Sequence, residues 1–241
     1  MGDLRSESDR RKQLIDHIAG REGNYPWFYL DGMGLVTIGK GTLVAKEHDA
    51  RSAAAAVNFT FASNPTKIAR ADEVAADWRR VHDKQDLKNK GAKAYKDVAQ
   101  LRISDAAVDQ LVWRELTPSV NSLYRQHAFM LQYGSRVAMA LVDTRYNAAG
   151  INPYSDPKTK KMWAALDPAN DKFDPVVALE QFKSIWAHRG GKYKVRYAER
   201  HRQRVQWFRD GLAAMYPDRI VDQAELPHFT ADMCGVGQLH R

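Results

Sequence analysis

An α+β fold dominated by helices, with a small hairpin-bearing lobe ahead of a larger helical lobe, is what this sequence predicts. Three observations point there. Five separate stretches carry apolar residues at helical spacing, each with a recognisable start or stop. One short island, WFYL-DGMG-LVTI, reads as two strands around an Asp-Gly turn. Finally, 241 residues with 44% hydrophobic content and no internal repeat can bury a core as one domain spanning 1–241.

The elements follow in order. SESDRRKQLIDHIAG offers Ser8 as an N-cap, Leu14, Ile15 and Ile18 on one face, and Gly20 as a stop. The hairpin comes next, with Gly39 and Gly41 letting the chain leave the sheet tightly; helix and hairpin together span 10–45. Residues 46–100 are polar, alanine-rich and lysine-heavy, and read as an insertion of loops and surface helices. A helical lobe is predicted over 101–216. In LRISDAAVDQLVWREL, Ser104 caps a stripe of Val108, Leu111, Val112 and Leu116, and Pro118 ends that helix or begins another. GSRVAMALVDTRYNAAG, capped by Ser135, is apolar enough to be buried on most sides. Asp174 followed by Pro175 is a strong start for DPVVALEQFKSIWAH. KYKVRYAERHRQRVQWFRDGLAAMY ends at Pro217, and 217–241 reads as a C-terminal extension.

Composition narrows the function classes. No apolar run reaches the roughly 18 to 20 residues that cross a bilayer, so membrane insertion is not expected. The charged N-terminal stretch lacks the apolar region of a secretory signal. The lone Cys234 excludes an internal disulfide and, in a glycine-bearing tail, is a poor nucleophile. The eight histidines are scattered without zinc spacing. A formal charge of +8 speaks about partners: nucleic acid, anionic headgroups or acidic wall polymer.

The chemistry is concentrated in residues 21–42, REGNYPWFYLDGMGLVTIGKGT. Glu22 closes the first helix, Asp31 sits at the hairpin turn, and Thr37 lies on the returning strand. Two carboxylates flanking one bond are what glycoside hydrolysis requires: one protonated to release the leaving oxygen, one ionised to act on water or carbon. Tyr25, Trp27, Phe28 and Tyr29 can desolvate Glu22 and raise its pKa, while Asp31 in a glycine turn stays wet and charged. Taken singly, each residue also has an ordinary reading. Asp before Gly is turn chemistry, Glu near a helix end is a surface residue, and Thr is common in strands.

The joint pattern is more specific. Glu22, Asp31 and Thr37 at this spacing, followed by Ile-Gly-x-Gly, resemble the phage-type lysozymes, the family-24 glycoside hydrolases. ISDAAVDQLVWREL, ALVDTRYNAAG and ERHRQRVQWF resemble later blocks of the same family. The resemblance covers about two-thirds of the chain in separated blocks. It implies a two-lobed lysozyme-like fold with Glu22, Asp31 and Thr37 as catalytic residues. It also implies Tyr29, Tyr146, Asn147 and Arg200 as substrate or support residues, and no metal or organic cofactor. The pattern departs from the family at Thr42, where relatives often carry His, at Arg204, where many carry an acid, in the extra residue of YNAAG, and in the length of 46–100.

The implied activity is cleavage of the β-1,4 bond between N-acetylmuramic acid and N-acetylglucosamine in peptidoglycan, with inversion. Glu22 would be the acid, and Asp31 with Thr37 would activate water, the two carboxyls standing roughly 6.5 to 9.5 Å apart. The implied setting is a monomer made in the cytoplasm and acting in the periplasm or wall of a target bacterium. It would act as a phage endolysin, or as an effector toxin with an immunity protein and secretion apparatus as partners. Two other classes compete: a catalytically inactive wall-binding module of the same fold, and a basic nucleic-acid-binding protein suggested by RYAERHRQRVQW. No nucleic-acid motif accompanies the charge, and nucleic acid is not expected as a partner.

Overall fold

The structure, a computed structural model, describes residues 3–19, 23–147, 152–184 and 193–220. The protein is mixed α+β and mainly helical. Its chain divides into two compact units, Lys12–Thr117 and Met1–Arg11 together with Pro118–Arg241. The expected C-terminal extension lies outside the described residues from 221 onward, as does Cys234.

Apolar spacing builds α1 (Ser8–Ala19), which enters the unit Lys12–Thr117 at Lys12 and whose Leu14, Ile15 and Ile18 are all buried. The hairpin follows as β1 (Tyr25–Leu30) and β2 (Val36–Gly39), with β3 (Thr42–Leu43) completing an antiparallel sheet in the order β1-β2-β3. Phe28 faces Ile38 and Leu30 faces Val36, and these four side chains enter the core. Tyr29, Thr37 and Leu43 form one row on the opposite face, because strand side chains alternate.

The hairpin loop takes in Leu35 besides the expected DGMG turn. Five residues, 31–35, separate the strands, and the left-handed position falls on Gly34 (φ 82°) instead of Gly32. The Asp31 carboxylate explains the longer loop. Its Oδ1 accepts the amides of Met33 and Leu35, both at 2.9 Å, and so caps the chain as it turns back.

Residues 46–100 are more ordered than an insertion of loops and surface helices. They form α2 (Glu47–Ala56), β4 (Thr60–Phe61), β5 (Asn64–Ile68), α3 (Ala71–His82) and two 3₁₀ turns, Gln85–Lys90 and Ala92–Tyr95. With β6 (Leu101–Arg102) they build a second antiparallel sheet in the order β5-β4-β6. Phe59, Val74, Trp78, Val81 and Tyr95 join Phe28, Ile38 and Val108 in one apolar core. Phe28 stacks on Phe59 with ring centroids 5.5 Å apart. This segment therefore packs against the hairpin as part of the same body. Buried Asp77 ties α3 to the second sheet by accepting the amides of Gln100 and Leu101 at 2.8 and 3.1 Å.

Helix α4 (Asp105–Gln126) starts after Ser104, whose hydroxyl accepts the Ala107 amide at 3.2 Å. Pro118 neither ends nor begins it but lies inside it. Proline removes one helical donor, and in the same turn the Thr117 hydroxyl donates to the Trp113 carbonyl at 2.8 Å.

The other unit is helical: α5 (Ser135–Asn147), α6 (Lys160–Leu166), α7 (Pro175–Ser184) and α8 (Tyr193–Ala213). Asp174 caps α7 as its sequence predicts, accepting from Val176 at 2.9 Å. Ser135 begins α5 but donates to Glu7 at 2.7 Å instead of capping. Helix α5 packs on α8 at glycine distance: a Cβ on Gly211 would stand 2.5 Å from Val137 Cγ2. Phe182 of α7 stacks on Phe208 of α8 at 4.2 Å. No described helix is long and apolar enough to cross a membrane.

Candidate active site

The outward face of the hairpin sheet opens on a groove of about 750 Å³. Tyr29, Asp31 and Thr37 all line it, with Tyr25, Leu43 and, from the 3₁₀ turns, Lys88 and Ala92. Hairpin pairing explains the convergence. Asp31 follows directly on the end of β1, and Thr37 pairs directly with Tyr29 across the hairpin. Tyr25 meets Tyr29 edge-on, with ring centroids 5.4 Å apart, so the floor is aromatic.

The Leu35 peptide links the two polar groups. It donates its amide to Asp31 Oδ1 at 2.9 Å, and its carbonyl accepts the Thr37 hydroxyl at 3.2 Å. Asp31 Oδ1 is thus fixed by two backbone donors, while Oδ2 has no hydrogen-bond partner among the described residues. Thr37 is 4% exposed and, with its proton on Leu35, keeps lone pairs as acceptors.

Just beyond Thr37, Lys40 is nearly buried and salt-bridged to Asp109 at 2.8 Å and Asp16 at 3.1 Å. The variable position of Ile-Gly-x-Gly therefore ties β2 to α4 and α1. Thr42, which stands where the resembled family often carries His, has a buried hydroxyl with no partner among the described residues.

Glu22 lies outside the described residues. Tyr146 and Asn147 close α5; Tyr146 is half-buried, and the side chain of Asn147 is outside the description. Arg200, on α8, is 1% exposed and bound to Asp143 of α5, with Nη2 to Oδ1 at 2.6 Å and Nε to both oxygens at 3.2 Å. Arg204, read as a departure from the family, grips the same carboxylate through Nε and the Asp143 carbonyl through Nη2 at 3.2 Å. These arginines tie two helices together, and the Arg200 guanidinium is not offered to solvent. Asp143 is the residue that sequence reasoning missed. Its signal was present: a lone acid in an otherwise apolar helix, with two arginines one helical turn apart on another.

Among the described residues no cluster of His, Cys, Asp and Glu could hold a metal ion. No family model, no curated protein and no solved structure matches the chain.

Proposed function

We propose that this protein is a peptidoglycan hydrolase of lysozyme type, with a two-lobed lysozyme-like fold, cleaving the β-1,4 bond between N-acetylmuramic acid and N-acetylglucosamine. One observation carries the reading: an aromatic-floored groove lined by both Asp31 and Thr37, in which Asp31 has one oxygen held by the backbone and the other without a hydrogen-bond partner among the described residues. That is the half of a glycosidase site that handles water. A carboxylate pinned through Oδ1 cannot rotate away, so Oδ2 is presented at a fixed angle. A water between Oδ2 and Thr37 would lose a proton to the former while held by the latter.

The acid half is assigned to Glu22 on sequence spacing alone, nine residues before Asp31. Its protonated carboxyl would donate to the glycosidic oxygen as the carbon–oxygen bond breaks. Water would add to the anomeric carbon from the opposite face, giving an inverted hemiacetal. Half-buried Tyr25, packed edge-on against buried Tyr29, offers aromatic surface to the apolar face of a sugar ring. A positive net charge favours adsorption to anionic walls and is screened by salt. The setting that suits such a protein is the periplasm or wall of a target bacterium, reached as an endolysin or as a delivered toxin with its own immunity partner.

Purified sacculi incubated with wild-type protein should lose turbidity, and Glu22→Gln should abolish the loss. Clearing by Glu22→Gln at the wild-type rate would remove Glu22 as the acid. Absence of clearing by wild-type protein, with tight wall binding, would leave a binding module instead.

A further inference from the structure

The segment KQDLKNKGAKAYKD sets five lysines, Lys84, Lys88, Lys90, Lys93 and Lys96, against Asp86 and Asp97. All five are exposed, and no acidic side chain among the described residues pairs with any of them. Such a run is ordinarily a solvated, loose face. Here it is fastened down. Tyr95, wholly buried, donates its hydroxyl to the Lys84 carbonyl at 3.0 Å. Trp27 Nε1 donates to the Ala92 carbonyl at 3.0 Å. The Gln85 amide donates to the His82 carbonyl at 2.8 Å and to the Gly34 carbonyl in the hairpin turn at 3.3 Å. A Cβ on Gly34 would stand 3.7 Å from Lys88 Cδ, so the lysine stem lies along the turn that Asp31 caps. Lys88, Asn89, Gly91 and Ala92 consequently form a wall of the groove that holds Tyr29, Asp31 and Thr37.

We infer that Lys88 on this wall, with Lys90 and Lys93 exposed on the same fastened segment, forms an anion subsite for the strand bound in the groove, meeting carboxylates of the peptide stems carried on the glycan. The inference rests on the hydrolase reading and adds what that reading leaves open, the charge state of the preferred substrate. The location decides the source of the anion. Lys88 lines the groove itself, so the group it meets belongs to the ligand lying there, not to a separate polymer elsewhere on the wall. Lysine suits this role, because a strongly hydrated charge on a flexible stem follows carboxylates whose positions vary along a polymer. Three exposed ion pairs, each worth about twofold in affinity, together amount to about tenfold.

The test separates binding from cleavage. Sacculi stripped of teichoic acid are divided, and half are treated with carbodiimide and ammonia so that carboxylates become neutral amides. Binding of the Asp31→Asn protein to each is measured by co-sedimentation in the cold. We expect about tenfold tighter binding to the untreated half. We further expect Lys88→Gln/Lys90→Gln/Lys93→Gln in the same background to bind both halves at the weaker level. Unchanged affinity after amidation, or discrimination surviving in the triple variant, would overturn the subsite. A preference that appears only when teichoic acid is left in place would overturn the carboxylate assignment. If wild-type protein fails to cleave sacculi while the tenfold discrimination holds, the hydrolase reading falls and the subsite stands. Cleavage without discrimination removes the subsite and leaves the hydrolase.

Discussion

Asp31 carries two duties, one on each oxygen, and substitution can part them. Asn keeps an Oδ1 acceptor for the Met33 and Leu35 amides but lacks the charge on the second atom. Asp31→Asn should therefore melt within about 2 °C of wild type while lysis falls by about 10² to 10⁴, the range for losing a positioned acid or base. Asp31→Ala should lose lysis equally and also about 1 to 2 kcal/mol of stability, since two turn amides lose their acceptor. Retained lysis in either variant would reduce Asp31 to a turn residue, to be read from turbidity and circular-dichroism melts run side by side. Thr37→Ala should cost less, about tenfold, if its hydroxyl only orients water. That Asp31 and Thr37 line one groove was legible, because hairpin pairing fixes their spacing, while Glu22 lies outside the described residues. The position of the left-handed residue was not, because DGMG holds two glycines and only the carboxylate's backbone bonds select Gly34.

At the scale of elements, α5 and α8 are joined by one carboxylate between two arginines and by a glycine contact. Asp143→Ala would leave Arg200 and Arg204 buried without that partner, and we predict a loss of about 3 to 5 kcal/mol in urea unfolding. Gly211→Ala opposes two effects. Helix propensity favours alanine by about 1 kcal/mol, but the new Cβ would lie 2.5 Å from Val137 Cγ2 and 3.0 Å from the Val137 backbone nitrogen, which cannot swing aside. Overpacking wins, so destabilisation of about 1 to 2 kcal/mol is expected; a raised urea midpoint would refute the close approach. Helices with strong punctuation, such as the Asp174–Pro175 start, were readable. The second sheet was not. β5, Asn-Pro-Thr-Lys-Ile, is exposed along its whole length, so no alternation of polar and apolar residues marks it. Pro118 misled because a proline's missing donor looks the same in sequence whether the helix stops or continues.

Across the whole molecule, pH acts through buried imidazoles. Burial, aided by the Arg204 charge, pushes His201 from 6.5 down to about 4, and burial also lowers His127. A depressed folded pKa means that the unfolded chain takes up protons first. The stability these neutral rings contribute is present above about pH 6.5 and is lost as pH falls toward 4, with about 3 kcal/mol from His201. His201→Gln should flatten that slope in urea midpoints taken between these limits; an unchanged slope would assign the acid sensitivity elsewhere. The net charge of +8 was legible at once, whereas the fastening of the lysine-bearing wall beside Asp31 needed the bonds from Trp27, Tyr95 and Gln85 to be seen. The most direct measurement of the central claim is mass analysis of the soluble fragments released from purified sacculi. Hydrolysis in the Asp31 groove predicts disaccharide-peptides ending in reducing N-acetylmuramic acid. Anhydro-muramic ends, reducing N-acetylglucosamine ends, or no soluble fragments would contradict it.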